Sequence, residues 1–301
     1  MKYNKQTIDT IDFEVSVFSK NDVDEIHLFA KPTIPGTFPE QIRQITQAHN
    51  HYLAANQIPE EAIIFSRYFV SDYANQSDAL DLIRSHSKDS PHRPALSIVQ
   101  QPPLSDNKIV VWSYLIHDKR QNASQFSKAL TNNNLLVQRG SYRHLWSTRL
   151  SSNSDHLDSL GQTKQILSNY EGELEQNDLS FKDDCIRTWF YVKDIDYNYQ
   201  GVVEARNQFF DELGLTPETH YVSSTGIEGR EANPKTSVMM DAYSVGGLSQ
   251  EQIRFLEAPT HLNPTHEYGV TFERGTSVDY GDRRHVLISG TASIDNKGEI
   301  L

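Results

Sequence analysis

The chain has 301 residues, a formal charge of −12 and one cysteine, Cys185, so about two domains are expected and no intrachain disulfide can form. The acidic surface and the lack of a Lys/Arg-rich block exclude general binding to phosphate backbones. An anionic small molecule remains allowed where a local arginine cluster overrides the global field. No apolar run reaches the roughly 20 residues of a membrane span, Met1 to Thr10 is polar with no apolar signal segment, and the single thiol fits a reducing cytoplasm.

In chain order, Phe13 to Phe18 and Glu25 to Phe29 alternate as a hairpin, with Lys20 to Asp24 as its turn. Pro39 opens a helix whose Ile42, Ile45, His49, Tyr52 and Leu53 recur at helical spacing. A strand follows at Ile63 to Asp72, then a weaker helix around Ser77 to Ser85. Pro91 and Pro94 lead to two closing strands, Ala95 to Gln100 and Ile109 to Ile116. Lys119 to Asn134 is polar and reads as a connection. The pattern then recurs: a strand at Tyr142 to Ser147, a helix at Leu157 to Asn177, a strand at Cys185 to Asp194, a helix at Tyr199 to Leu213 with Gly214 at its end, and a closing strand at Ser237 to Val245.

Both long strands end in Val-x-Asp, at Val70 to Asp72 and at Val192 to Asp194. A repeated period sets the architecture. The expectation is an α+β protein of tandem β-β-α-β-α-β-β units, with helices on one face of a mixed sheet. The units occupy residues 1–118, 135–248 and 265–301. In the third, Val270 to Arg274 and Arg284 to Gly290 are opening strands with no helix after them, so a truncated third unit is expected.

Alternate strand residues share a face. Arg187, Trp189 and Tyr191 therefore point one way, and Ile186, Thr188, Phe190 and Val192 point toward the helices. A planar guanidinium, an aromatic plate and a phenol suit carboxylate recognition. The plainer alternative is a surface arginine stacked on Trp189, with Tyr191 as an interface anchor. Thr225-Gly226-Ile227-Glu228-Gly229-Arg230 reads as a loop whose amides approach an anion, with Arg230 as a second carboxylate contact, or else as a plain turn. Arg274 and Ser289 to Ser293 add a third cation and small hydroxyls. Asp241 and Tyr243 share a face of the closing strand. The 12 histidines form no His-x-x-x-His pair and no Cys/His cluster, so no metal is expected. No Walker-type loop, dinucleotide glycine pattern or nucleophile elbow is present, and no cofactor is expected.

Arg187-Thr188-Trp189-Phe190-Tyr191-Val192-Lys193-Asp194, the following helix through Asn207-Gln208-Phe209-Phe210, and His285 to Ser293 resemble the RidA/YjgF/UK114 superfamily (endoribonuclease L-PSP-like). The tandem units, Phe272-Glu273-Arg274-Gly275, and Ser224-Thr225-Gly226-Ile227 are similar to its chorismatase branch. The resemblance implies a pseudo-trimeric arrangement within a monomer, or a homo-oligomer, with the Arg187 face lining a cavity between units. It implies hydrolysis of the enolpyruvyl ether of chorismate, releasing pyruvate. Arg187, Arg230 and Arg274 would hold carboxylates, Tyr191 would orient the substrate, and Thr225 and Gly226 would shape the ring pocket. The family's glutamate acid would lie beyond Leu301. RidA-type imine deaminases carry an arginine on the short strand after the second helix. Leu96 stands there in unit one, and His220 to Gly226 has no arginine in unit two. A Rid-type enamine/imine deaminase and a non-catalytic small-carboxylate-binding protein are the alternatives. The expected partner is a small anionic metabolite, with neither nucleic acid nor membrane.

Overall fold

The computed structural model describes residues 1–88, 93–104, 106–120, 126–291, 295–297 and 299. Pro91, Ala292, Ser293, Gly298, Ile300 and Leu301 lie outside the described residues. Contacts divide the chain into two units. The first comprises Met1–Gly140 with Glu231–Asn233, and the second comprises Ser141–Arg230 with Pro234–Leu301.

The first unit runs β1 (Lys2–Ile8), β2 (Ile11–Lys20), β3 (Val23–Pro32), α1 (Phe38–Ala55), β4 (Ile63–Val70), α2 (Tyr73–Lys88), β5 (Ala95–Gln100) and β6 (Ile109–Asp118). These strands form one mixed sheet in the order β1-β2-β3-β6-β4-β5, in which only β4 and β5 pair in parallel. A hairpin of β7 (Phe126–Thr131) and β8 (Asn134–Arg139) follows. It corrects the reading of Lys119 to Asn134 as a connection.

β1 was also not expected. Its side chains are mostly exposed, so no apolar alternation marks it. Polar cross-strand pairs hold it instead: Lys5 Nζ and Tyr3 Oη donate to Glu14 at 2.8 and 2.9 Å, and Thr7 Oγ1 donates to Asp12 at 2.7 Å. Asn21 and Asp22 make the tight β2–β3 turn with φ of 51° and 58°, the left-handed pair that a type I′ hairpin requires. Thr37 and Glu40 form a capping box at the start of α1. Phe38, Ile42, Ile45, Tyr52 and Leu53 then bury against Phe13, Val15, Ile26 and Leu28 of the sheet. Each such side chain contributes roughly 1.5–3 kcal/mol relative to exposure.

The second unit runs β9 (Tyr142–Ser151), α3 (Ser159–Glu175), α4 (Phe181–Asp184), β10 (Cys185–Val192), α5 (Ile195–Glu212), β11 (Ser223–Glu228) and β12 (Val238–Gly246). Its strands lie β11-β10-β12-β9, with β10 and β11 parallel. That is the order β5-β4-β6-β3 of the first unit. The duplication extends to detail: β4 has a register irregularity against β6 between Ile63 and Phe65, and β10 has one against β12 between Cys185 and Arg187.

β13 (Ile253–Leu256), β14 (Gly275–Asp279) and β15 (Arg284–Ile288) form a three-stranded antiparallel sheet within the second unit. The strand expected at Val270 to Arg274 therefore lies one segment later, and β13 adds a strand to the expected hairpin. Gly275 belongs to β14 because the strands approach closely: a Cβ there would lie 2.9 Å from the Leu287 carbonyl oxygen. No helix among the described residues is long and apolar enough to cross a membrane.

Candidate functional site

β10 sets the site. Phe190 lies opposite Gly226 of β11, and a Cβ on Gly226 would come within 2.5 Å of Tyr199 on α5. The Phe190 side of the strand is thus the helix side. Arg187 lies opposite Tyr243 of β12, and Trp189 lies opposite Asp241. By strand alternation these residues, with Tyr191, form the other face.

Arg187 is only 3% exposed, which excludes the surface alternative. Its guanidinium stacks over Trp189 at 5.0 Å. Nη2 donates to Thr225 Oγ1, and Nη1 donates to Ser289 Oγ at 3.4 Å. Thr225 Oγ1 also accepts the Gly290 amide at 2.7 Å. Ser289 Oγ accepts the Ser224 amide at 2.9 Å and donates to the Glu273 carbonyl at 2.5 Å. Two hydroxyls therefore position the guanidinium. Gly290 has to lack a side chain, since its Cβ would sit 2.7 Å from the Thr225 methyl.

Beside this cluster stands an aromatic group that the sequence reading reached only in part, through Asp241 and Tyr243. His144 Nδ1 and Tyr243 Oη are 2.7 Å apart, the Trp146 and Tyr243 rings are 4.3 Å apart, and Tyr243 Oη lies 3.4 Å from Tyr280 Oη. Asp241 is buried and accepts the Arg149 amide at 2.8 Å. The alternation of His144 with Trp146 on β9 was the available signal. Tyr191 is buried on the same strand face as Arg187.

Thr225 and Gly226 lie inside β11, in parallel register with Trp189 and Phe190. The expected amide loop is therefore strand as far as Glu228. Arg230 is not brought to Arg187. It pairs with Asp194 at 2.6 Å and with Glu228 at 3.6 Å, and is 42% exposed. Glu228 in turn accepts the Asp194 and Ile195 amides at the start of α5, so Arg230 completes a helix cap. With Ser223 level with Arg187, Arg230 lies on the order of 20 Å farther along the strand direction.

Arg274 meets the cluster through its backbone, whose carbonyl accepts the Ser289 amide at 2.9 Å. Its side chain donates to Thr291 Oγ1 at 2.5 Å and to the Asn263 carbonyl at 2.7 Å, and its Nε is buried without a partner among the described residues. It lines a pocket of about 130 Å³ with Leu262, His266 and Glu273. Burial raises the Glu273 carboxyl above its ordinary range, so this group holds a proton more readily than a surface glutamate. Burial also pushes the Cys185 thiol up to about 12, which removes it as a nucleophile. Among the described residues, no group of three or more His, Cys, Asp and Glu side chains is placed to hold a metal ion.

The first unit carries a counterpart that the sequence reading missed. Arg67 on β4 is 4% exposed and stacks over Phe65 at 5.0 Å and Trp112 at 5.6 Å. Counted from the shared Val-x-Asp ending, it stands where β10 has Trp189. His27 stacks on Trp112 and on Tyr114. Both units therefore bury an arginine among aromatic rings on β4 or β10.

A solved chorismatase structure matches 93% of this chain and 71% of its own, with a TM-score of 0.55 and 16% identity. A member of the YjgF/YER057c/UK114 family from Mycobacterium tuberculosis matches 36% of this chain and 82% of its own, with a TM-score of 0.29 and 23% identity. A YjgF-family protein from Neisseria meningitidis matches 42% and 99%, with a TM-score of 0.33 and 12% identity. No protein-family model and no curated protein matches the chain.

Proposed function

We propose that this chain, which has the tandem RidA/YjgF-type fold of a chorismatase, binds a small dicarboxylate of the chorismate type and hydrolyses its enolpyruvyl ether to pyruvate. The observation that carries the reading is the buried Arg187 guanidinium, held by the hydroxyls of Thr225 and Ser289 and backed by Trp189. A guanidinium presents a planar fork that matches a carboxylate bidentately. In this reading Arg187 and Arg274 anchor carboxylates, Tyr191 orients the ring, and Thr225 sets the floor of the site, while Gly226 faces Tyr199 of α5 and serves the packing of the helix. Arg230, committed to the α5 cap, is left out of the carboxylate set.

The reaction needs an acid to protonate the enol methylene and a water to attack the resulting oxocarbenium carbon. In this reading Glu273, which lines the same pocket as Arg274 and whose carboxyl burial raises above its ordinary range, takes the part of that acid. Chorismate turnover, read as pyruvate release, tests the proposal. The protein should release pyruvate, and Arg187→Met should lower the rate at least 100-fold. Saturable chorismate binding without pyruvate would leave a carboxylate-binding protein. Hydrolysis of a 2-imino acid generated in situ, with chorismate untouched, would leave a Rid-type deaminase. Neither binding nor turnover would end all three readings.

A further inference from the structure

The first unit contains a cavity of about 610 Å³ on the side of its sheet that faces α1. This volume lies within the range of small-molecule sites, which are mainly apolar with a few placed polar groups. Ile42 and Ile45 of α1, Ile63 of β4, Leu96 of β5 and Val111 of β6 supply apolar walls. Arg43 and Glu60, exposed and opposite in charge, stand at the rim. The space has a local cause. Ile42, Ile45 and His49 follow one another on the same helix face, so an imidazole stands where the stripe calls for another aliphatic group. Below it, β4 offers the small Ser66, whose hydroxyl is engaged with Ser113 at 2.9 Å.

His49 is the telling group. It lines the cavity, and its Nε2 is buried with no hydrogen-bond partner among the described residues. A buried polar atom left unsatisfied costs about 1–3 kcal/mol, so a partner supplied from outside the chain is favoured. Tyr68 also lines the space and presents a phenol. Burial holds both groups uncharged at neutral pH: it pushes the His49 imidazole down to about 4 and the Tyr68 phenol up to about 12. The same low-dielectric surroundings penalise an ionised ligand. A hydroxyl satisfies Nε2 in either imidazole tautomer, since it can donate or accept.

We propose that this cavity binds an uncharged, mainly apolar ring compound through a single hydroxyl hydrogen-bonded to His49 Nε2. The site belongs to the first unit and does not depend on the carboxylate chemistry of Arg187.

The test uses 2-naphthol as the probe, with naphthalene and 2-naphthoate as matched shapes that lack the hydroxyl or carry a charge, titrated calorimetrically against the whole chain at pH 7. The expected result is saturable binding of 2-naphthol, with naphthalene at least fivefold weaker and 2-naphthoate at least tenfold weaker. His49→Phe should erase the preference for naphthol over naphthalene, which loss of packing alone would not do. Ile45→Trp, which fills the space, should abolish binding of both, and Arg187→Met should leave naphthol binding unchanged. If Ile45→Trp does not fold, the naphthol-to-naphthalene ratio in His49→Gln, expected to stay near the wild-type ratio, serves in its place. The proposal is overturned by absence of saturable naphthol binding, by naphthoate binding as well as naphthol, or by a preference for naphthol that survives His49→Phe.

Discussion

Arg187 shows what a single strand position can and cannot disclose. Alternation along Cys185 to Val192 was enough to separate Arg187, Trp189 and Tyr191 from the helix-facing set, and the stacking of Arg187 on Trp189 is present at 5.0 Å. Burial was not legible, because it depends on Thr225, Ser289 and Tyr243, which are distant in sequence. The setting of Arg230 was not legible for the same reason: its partner Asp194 lies on the turn into α5, and only the fold brings the two together. Gly226 offers a direct check. Gly226→Ala puts a methyl 2.5 Å from the Tyr199 ring, and overpacking of this kind costs about 1–3 kcal/mol. A lowered urea midpoint is expected, with partial recovery in Gly226→Ala/Tyr199→Ala. An unchanged midpoint would show that the ring simply moves aside. Cys185 makes a second check. With its thiol pushed up to about 12, it should resist a thiol reagent at pH 8 in the native protein and react at once in denaturant.

At the level of elements, long periodic segments were read well and polar ones poorly. The helices around Ile42 and Val202 announced themselves by apolar spacing. β1 and β7 present alternating or continuous exposure, so their pairing rests on backbone bonds and polar side chains that no apolar pattern marks. β14 starts at Gly275, after the expected Val270 to Arg274, where the lack of a side chain admits the neighbouring strand. The packing of α3 on α5 carries a prediction whose sign opposes helix propensity. Alanine in place of a mid-helix glycine ordinarily stabilises by about 1 kcal/mol. A Cβ on Gly201, however, would run into Ser159 Oγ and reach 2.7 Å from the Leu160 amide nitrogen. Gly201→Ala should therefore lower the thermal midpoint by several degrees; a rise would mean that the two helices separate at little cost.

For the whole molecule, the duplication was the most legible feature. It is matched down to the irregularities at Ile63/Phe65 and Cys185/Arg187. The cavity beneath α1 was not legible, because a histidine within an apolar stripe reads equally well as packed core. That histidine predicts acid sensitivity in the first unit. Burial pushes the His49 imidazole down to about 4, against about 6.5 in the unfolded chain, so the unfolded chain takes up the proton first. Stability from this group is complete above about pH 6.5 and is lost as pH falls toward 4, by a few kcal/mol at most. The drop in urea midpoint from pH 7 to 4.5 should be smaller in His49→Gln than in the wild type. Equal drops would assign the acid sensitivity to other groups.

The grouping of Glu231–Asn233 with the first unit, where Ala232 packs against the core, bears on how the chain matures. A ribosome that has just released Gly140 has not yet made the last piece of that unit. Roughly 90 further residues must be polymerised first, about 5 to 20 s at ordinary elongation rates. Throughout that interval the nascent first unit lacks Ala232 and the packing it adds to the edge of the core.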